Sequence, residues 1–413
     1  MLDRAIVIQS LRDQSSLGGT QLPWLRWLGI LSACLALSFT SRQASPLQAP
    51  SGQSAGPQSD PLPQLRRRTP EERERINQAT HRIFLNVYVS DASGKSPTDL
   101  KQTDFTLIED HQLRKVEGFR SVQGSSAIAP AHIILVLDAV NNPSRKLGYF
   151  RREIEKYLRQ GDGPLAYPMS IALSSNSGVS VGLPSRDRSA LLQELKALTD
   201  NLHTIGCAEA AEDERYLPGH NGLSPLDPNP RLDCLNHHFN TSVKALASLA
   251  QQQVDVPVRV ILVWIGQGWP LLSSNGFVPD TPSVKRSFFH DLVEVSSALM
   301  EGQVTLDAIA SPSAESRNAH DRAFFDGVPD QSQVTAGSLG LHPLAHQSGG
   351  QILTNTKDIA GEIDACLADT KSYYVLSYDS PPATAFGEYH SIQVKVDKPG
   401  LTVRTNTLYY AEP

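Results

Sequence analysis

The sequence predicts an α/β fold: a mostly parallel sheet with helices on both faces, inserted in or flanked by a small β-sandwich. Three observations predict it. Strand-like and helix-like runs alternate through the middle of the chain, the pattern of a helix-covered parallel sheet. The apolar run 133–137 is continuous, as a strand buried on both faces is, and 258–265, apolar but for Arg259, is the strongest strand in the chain. Short runs of alternating polarity, by contrast, lie at the two ends of the part that can fold.

The 413 residues are 40% hydrophobic and 19% charged, enough to bury a sizeable core. A net charge of -6 gives no support to a nucleic-acid-binding surface, which would need clustered excess Lys and Arg. Four Cys are too few for a disulfide scaffold. Residues 1–44 read as a signal peptide or membrane anchor: Arg4, Arg12 and Arg26 precede the uncharged run 27–39. That run suits the apolar region of an export signal and is short for a spanning helix. Leu31-Ser32-Ala33-Cys34 is similar to a lipoprotein box, with Cys34 the residue to be lipidated; an uncleaved anchor stays open beside it. The expected location is therefore extracytoplasmic: periplasm, cell envelope or secreted. Residues 45–80, rich in Pro, Ser and Gln, read as a flexible tether.

Residues 81–125 form an N-terminal β segment. Ile83, Leu85, Val87 and Val89 alternate with Phe84, Asn86, Tyr88 and Ser90, and two more strands are expected at 105–109 and 116–122. The central domain, 126–370, starts with the strand that ends at Asp138. Helical spacing follows at 149–159, strands at 169–173 and 179–183, and a helix capped by Ser189. After an irregular stretch, 243–250 is helical, 258–265 is the strongest strand, and 288–300, 304–310, 339–347 and 359–367 continue the alternation. From 371 to 413 the pattern is β again, which predicts pairing with 81–125 and makes the central domain an insertion.

In such sheets, sites lie beyond the carboxyl ends of the strands. That singles out Asp138 and the run Gly266-Gln267-Gly268. Taken with Val87-Tyr88-Val89-Ser90-Asp91, Asp104-Phe105-Thr106-Leu107-Ile108-Glu109-Asp110, the strand running into Trp264-Ile265-Gly266-Gln267-Gly268-Trp269-Pro270, Leu344-Ala345-His346-Gln347-Ser348-Gly349-Gly350 and Tyr373-Tyr374-Val375-Leu376-Ser377-Tyr378, the chain resembles the von Willebrand factor A-related domain proteins of the Acidobacteria type. The resemblance covers roughly 80–411. It implies a Rossmann-like sheet with a metal-ion-dependent adhesion site at its top, where an Asp-x-Ser-x-Ser loop, a Thr and a second Asp hold Mg²⁺ and the partner supplies a carboxylate.

This chain departs from that set. Its loop reads Asp138-Ala139-Val140-Asn141-Asn142, so Val140 and Asn142 stand where the two Ser belong. Gln267 stands in place of the second Asp, and Thr241 is the candidate for the Thr. One carboxylate with amide helpers predicts weak Mg²⁺ binding at best, because charge count sets much of the affinity. The expected function is a non-enzymatic protein-interaction module with a degenerate adhesion site. A metal-dependent adhesion domain using Asp138 is the alternative, and an envelope-polymer hydrolase a distant third. Asn141, Trp269 and Leu271 are the partner-contact candidates, against a reading of the Trp269 cluster as a lid over the domain's own core. Cys207 and Cys234 bracket an acidic, Pro- and Gly-rich segment and are expected to pair as a disulfide in an exported chain, whereas Cys366 is expected in the core. There is no G-x-S-x-G elbow, no phosphate loop and no H-E-x-x-H.

Overall fold

The computed structural model describes residues 82–123, 131–200, 202, 230–256, 258–269, 281–310 and 322–413. All of these fall in the unit Leu62–Pro413. The signal or anchor segment, Cys34, Cys207, Leu271 and the tether lie outside the described residues. Among the described residues, no helix is long and apolar enough to cross a membrane.

The N-terminal strands are β1 (Arg82–Asp91), β2 (Phe105–Glu109), β3 (Gln112–Arg114) and β4 (Gly118–Gln123). Asp110 and His111 both have positive φ, at 50° and 65°, and Glu109 pairs with Gln112. This is a two-residue hairpin, whose central residues need positive φ. The sequence predicts strands at 105–109 and 116–122 and none at 112–114, where β3 lies. Three residues with one apolar side chain carry no periodicity.

The central elements are β5 (Ala131–Asp138), α1 (Ser144–Arg159), β6 (Met169–Ser175), β7 (Gly178–Val181), α2 (Arg188–Thr199), α3 (Pro230–Gln251), β8 (Arg259–Gly266), α4 (Pro282–Glu301), β9 (Val304–Ala310), α5 (Leu341–Gln347), β10 (Ile352–Leu353) and α6 (Ile359–Ala368). The cap of α2 is Asp187, not Ser189: the Asp187 side chain accepts from the Ser189 N–H at 2.8 Å. α4 starts on a Thr281 cap followed by Pro282, whose missing N–H costs nothing in a first turn. The six strands run β10-β9-β8-β5-β6-β7, parallel except for β7 at the edge. In chain order this is 3-2-1-4-5-6, the doubly wound arrangement, which reverses between β5 and β8.

Strand alternation divides the core in two. Ile134, Val136, Leu262 and Trp264 face α3, α4 and α5, with Phe239, Leu246, Leu292 and Leu344 among them. Ile133, Leu135, Leu137 and Val263 face α1, α2 and α6, with Phe150, Ile154, Leu191 and Ile363. Every residue of β5 and β8 is buried, the polar His132 and Arg259 at their starts included.

The C-terminal strands are β11 (Ser372–Asp379), β12 (Glu388–Val396), β13 (Leu401–Arg404) and β14 (Leu408–Ala411). They pair antiparallel with the N-terminal ones in two four-stranded sheets, β13-β1-β11-β4 and β14-β12-β2-β3. Leu85, Val87, Leu107, Tyr374, Leu376, Ile392 and Tyr409, drawn from both sheets, share one core.

The β1–β11 sheet meets the central sheet through a buried polar cluster. The Arg259 guanidinium lies 5.0 Å from the Tyr88 ring centre and 4.4 Å from that of Tyr373, and Arg404 lies 4.4 Å over Tyr88. Arg404 pairs with Asp369 at 2.5 Å, and Tyr88 Oη meets Thr305 Oγ1 at 3.1 Å. The Ser348-Gly349-Gly350 turn belongs to this contact. A Cβ on Gly350 would stand 1.8 Å from the Leu306 carbonyl oxygen, and Gly349 has φ 76° with the backbone of Thr405 2.7 Å from where its Cβ would be. The glycine pair is there for close approach of backbone to backbone.

Candidate functional site

The strand order reverses between β5 and β8, so the crevice beyond their carboxyl ends is the place for a ligand. β5 ends on Asp138 and β8 on Gly266. Asp138 is fully buried. Its Oδ1 accepts from the backbone N–H groups of Val140 and Asn141, each at 3.0 Å, an Asx-type turn that bends the chain toward α1. Its Oδ2 accepts from Asn141 Nδ2 at 2.8 Å and from Trp264 Nε1 at 3.1 Å. Burial pushes its pKa upward, and these four hydrogen bonds oppose that rise. Asn142 Nδ2 donates to the Asp138 backbone oxygen at 2.7 Å.

Two candidates from the sequence are corrected. The α3 residue at the site is Ser242, not Thr241: Asn141 Nδ2 donates to Ser242 Oγ at 2.9 Å, and Ser242 in turn donates to the His238 carbonyl at 2.9 Å. Adjacent helical positions point about 100° apart, so an offset of one residue removes Thr241 from the constellation. Trp269 is not a surface contact residue. It is 3% exposed and packs edge-on against Trp264, ring centres 5.2 Å apart. Asn141 is half-buried and spends its amide on Asp138 and Ser242. Gln267 is half-buried, and its Oε1 accepts from Lys146 Nζ at 2.6 Å. Cys234 is disulfide-bonded, and the residue expected to partner it, Cys207, lies outside the described residues.

The donor set does not suit a hard cation. A carboxylate offers about four lone-pair positions, and four N–H donors already meet those of Asp138. Val140 has no ligand atom. Asn142 turns its amide nitrogen, not an oxygen, toward Asp138, and the Gln267 oxygen is held by an ammonium. Among the described residues, no group of three or more His, Cys, Asp or Glu is placed to hold a metal ion.

Sequence reasoning missed Ser242 and the role of Trp264. The second had a signal: an indole N–H inside an otherwise apolar, fully buried strand needs an acceptor, and Asp138 was the polar residue at the end of the neighbouring strand. Gly266 is required by the same packing. A Cβ there would stand 2.8 Å from Asn142 Nδ2 and 2.9 Å from Asp138 Cβ. Gly266→Ala is expected to cost about 1–3 kcal/mol by overpacking, read as a lower urea midpoint at unchanged slope. An unchanged midpoint would show that the Asp138 loop yields freely.

No family model matches the chain, and no curated protein does. Similar solved structures include the human COPII-coat protein Sec24c, at 9% identity and a TM-score of 0.26, covering 70% of this chain and 44% of that one. The manganese-loaded Plasmodium vivax TRAP protein matches at 10% identity and a TM-score of 0.29, covering 72% and 97%. Proximal thread matrix protein 1 from the mussel byssus matches at 12% identity and 0.27, covering 63% and 51%. The chain spans less than half of Sec24c. At these scores the likeness carries no argument.

Proposed function

We propose that this chain is a non-enzymatic, extracytoplasmic protein-interaction module: a von Willebrand factor A-type domain set between two β segments, with a degenerate adhesion site that works without a divalent cation. The observation that supports it best is the saturated carboxylate. Asp138 stands where the metal-binding Asp of such a site would stand, at the switch point between β5 and β8. Its four acceptor positions are directed to N–H groups of its own fold. In this reading Asp138 shapes the loop, and the partner meets the polar side chains around it. Arg145 and Lys146, exposed at the start of α1, and the Lys146–Gln267 pair form that face.

Two measurements on the full chain test the reading. Calorimetric titration with Mg²⁺, Mn²⁺ and Ca²⁺ is expected to give no saturable heat at millimolar metal. A saturable heat that disappears in Asp138→Ala would overturn the metal-free site. Affinity capture from envelope extracts is expected to recover the same partner with and without Mg²⁺, and to lose it when Arg145→Glu and Lys146→Glu are combined. Recovery of no specific partner would count against the interaction module itself.

A further inference from the structure

At the opposite, amino-terminal ends of the parallel strands, a cavity of about 360 Å³ opens between the outer face of the β1–β11–β4 sheet and the start of β8. Its size falls at the low end of the range for small-ligand sites, roughly 300–1,000 Å³. The register brings its walls together. Phe84 lies opposite Ser377, and Asn86 opposite Val375, so alternate residues of β1 and β11 share this face. Phe84, Tyr373, Val375 and Val258 make most of the wall apolar. Phe84 is 44% exposed, a large ring left at the surface.

The charge in this cavity is one-sided. Arg259 and the exposed Arg120 line it, and none of its lining side chains is acidic. Arg259 is 4% exposed. Of its five N–H groups, one on Nη1 goes to the Asp369 backbone oxygen at 3.1 Å and one on Nη2 to the Tyr88 hydroxyl. Nε is buried and has no acceptor. The carboxylate of Asp369 is already committed to Arg404 at 2.5 Å and to Gln351 Nε2 at 3.0 Å. Aromatic faces at 4.4 and 5.0 Å offset part of the cost of this buried cation. An unmet guanidinium donor at the edge of an apolar cavity still calls for an anion.

We propose that this cavity binds a carboxylate carried on an apolar body about the size of an aromatic ring, the carboxylate meeting Arg259 and the body resting on Phe84 and Val375. The site is independent of the Asp138 face and of any partner bound there. A bare anion would leave the apolar wall unused, and a neutral aromatic would leave Arg259 unmet.

Calorimetric titration of the full chain tests this with phenylacetate, phenylacetamide and inorganic phosphate. Phenylacetate is expected to saturate at millimolar concentration, with the amide and phosphate at least about tenfold weaker. Val375→Trp, which fills the cavity from a half-buried position and leaves Arg259 in place, is expected to abolish saturation. Arg259→Gln is expected to bring phenylacetate down to the level of the amide. A short peptide ending in Phe, compared with its C-terminally amidated form, separates the two sources of such a group, a free acid or the end of a partner chain; saturation by either bears the proposal out. Equal affinity for acid and amide, equal affinity for phosphate, binding unaltered by Val375→Trp, or no saturation by any carboxylate below about 10 mM would overturn it.

Discussion

Glu109→Leu is expected to lower the stability of the fold by about 3–5 kcal/mol, the cost of leaving buried polar partners without their charge. Glu109 is fully buried between the two end sheets. Its Oε1 accepts from Tyr378 Oη at 2.9 Å, Ser380 Oγ at 2.9 Å and Tyr409 Oη at 2.7 Å. Its Oε2 accepts from Arg114 Nε at 2.7 Å. These donors come from β11, the turn after it, β14 and β3, so a single carboxylate ties strands from both ends of the chain. Removing it takes the shared acceptor from three hydroxyls, of which Ser380 and Tyr409 keep each other, and the ion pair from the partly exposed Arg114. Glu109→Gln keeps one acceptor and is expected to recover part of the loss. Leu113→Ala, on β3 and 75% exposed, is the matched control and should stay within about 0.5 kcal/mol. Urea midpoints decide it: a Glu109→Leu midpoint equal to that of Leu113→Ala would show that the network adds nothing to stability.

The dependence of stability on pH should expose two buried groups that oppose each other. Burial, with Asp369 nearby, pushes the Asp307 carboxyl from 3.8 up to about 7, against the pull of Arg404 and of hydrogen bonds from the Gln351 N–H and Cys366. Burial pushes His132 from 6.5 down to about 4. Between pH 3.8 and 7 the folded state therefore holds a proton on Asp307 that the unfolded state has lost. That contribution is full below pH 3.8 and is lost as pH rises through 7. His132 has the other sign: its contribution is full above pH 6.5 and is lost as pH falls through 4. In the wild-type chain the two largely cancel between pH 4 and 6.5. Asp307→Asn should remove one arm. The stability of the variant should then rise with pH up to 6.5, and its advantage over wild type should grow by on the order of 2–4 kcal/mol from pH 4 to pH 8. Urea unfolding at pH 4, 6 and 8 checks this; a difference that does not move with pH would place the Asp307 carboxyl near its ordinary value.

What could be read from the residues followed burial. β5 and β8 announce themselves because both faces are covered: Ile133–Leu137 and Val260–Ile265 are unbroken apolar runs, and β5 ends on a carboxylate. That same rule led to Asp138. The end strands were legible from alternation, and their pairing from the need of each half-covered face for a partner. Contacts between single residues were not legible. Nothing in Asn240-Thr241-Ser242 says which hydroxyl turns inward, because the long irregular segment before α3 leaves its rotation undefined. β10 has two residues, and its place beside β9 is set by the tight Gly349-Gly350 turn. The cavity at Arg259 was also out of reach: its walls come from β1, β4, β8 and β11, and no spacing within one segment foretells them.

The pairing of the two ends has a consequence for the order in which the molecule can be made. The neighbours of β1 in its sheet are β11 and β13, and Arg82 meets Asp379 across a separation of 297 positions. While a ribosome builds the chain, β1 finds no partner until β11, which starts at Ser372, appears. Leu85, Val87 and Val89 must wait uncovered for that interval, with unpaired edges that other chains can join. The central sheet, whose strands are all neighbours within one continuous stretch, has no such delay. Once formed, it gathers the distant ends into a short closure in place of a long one.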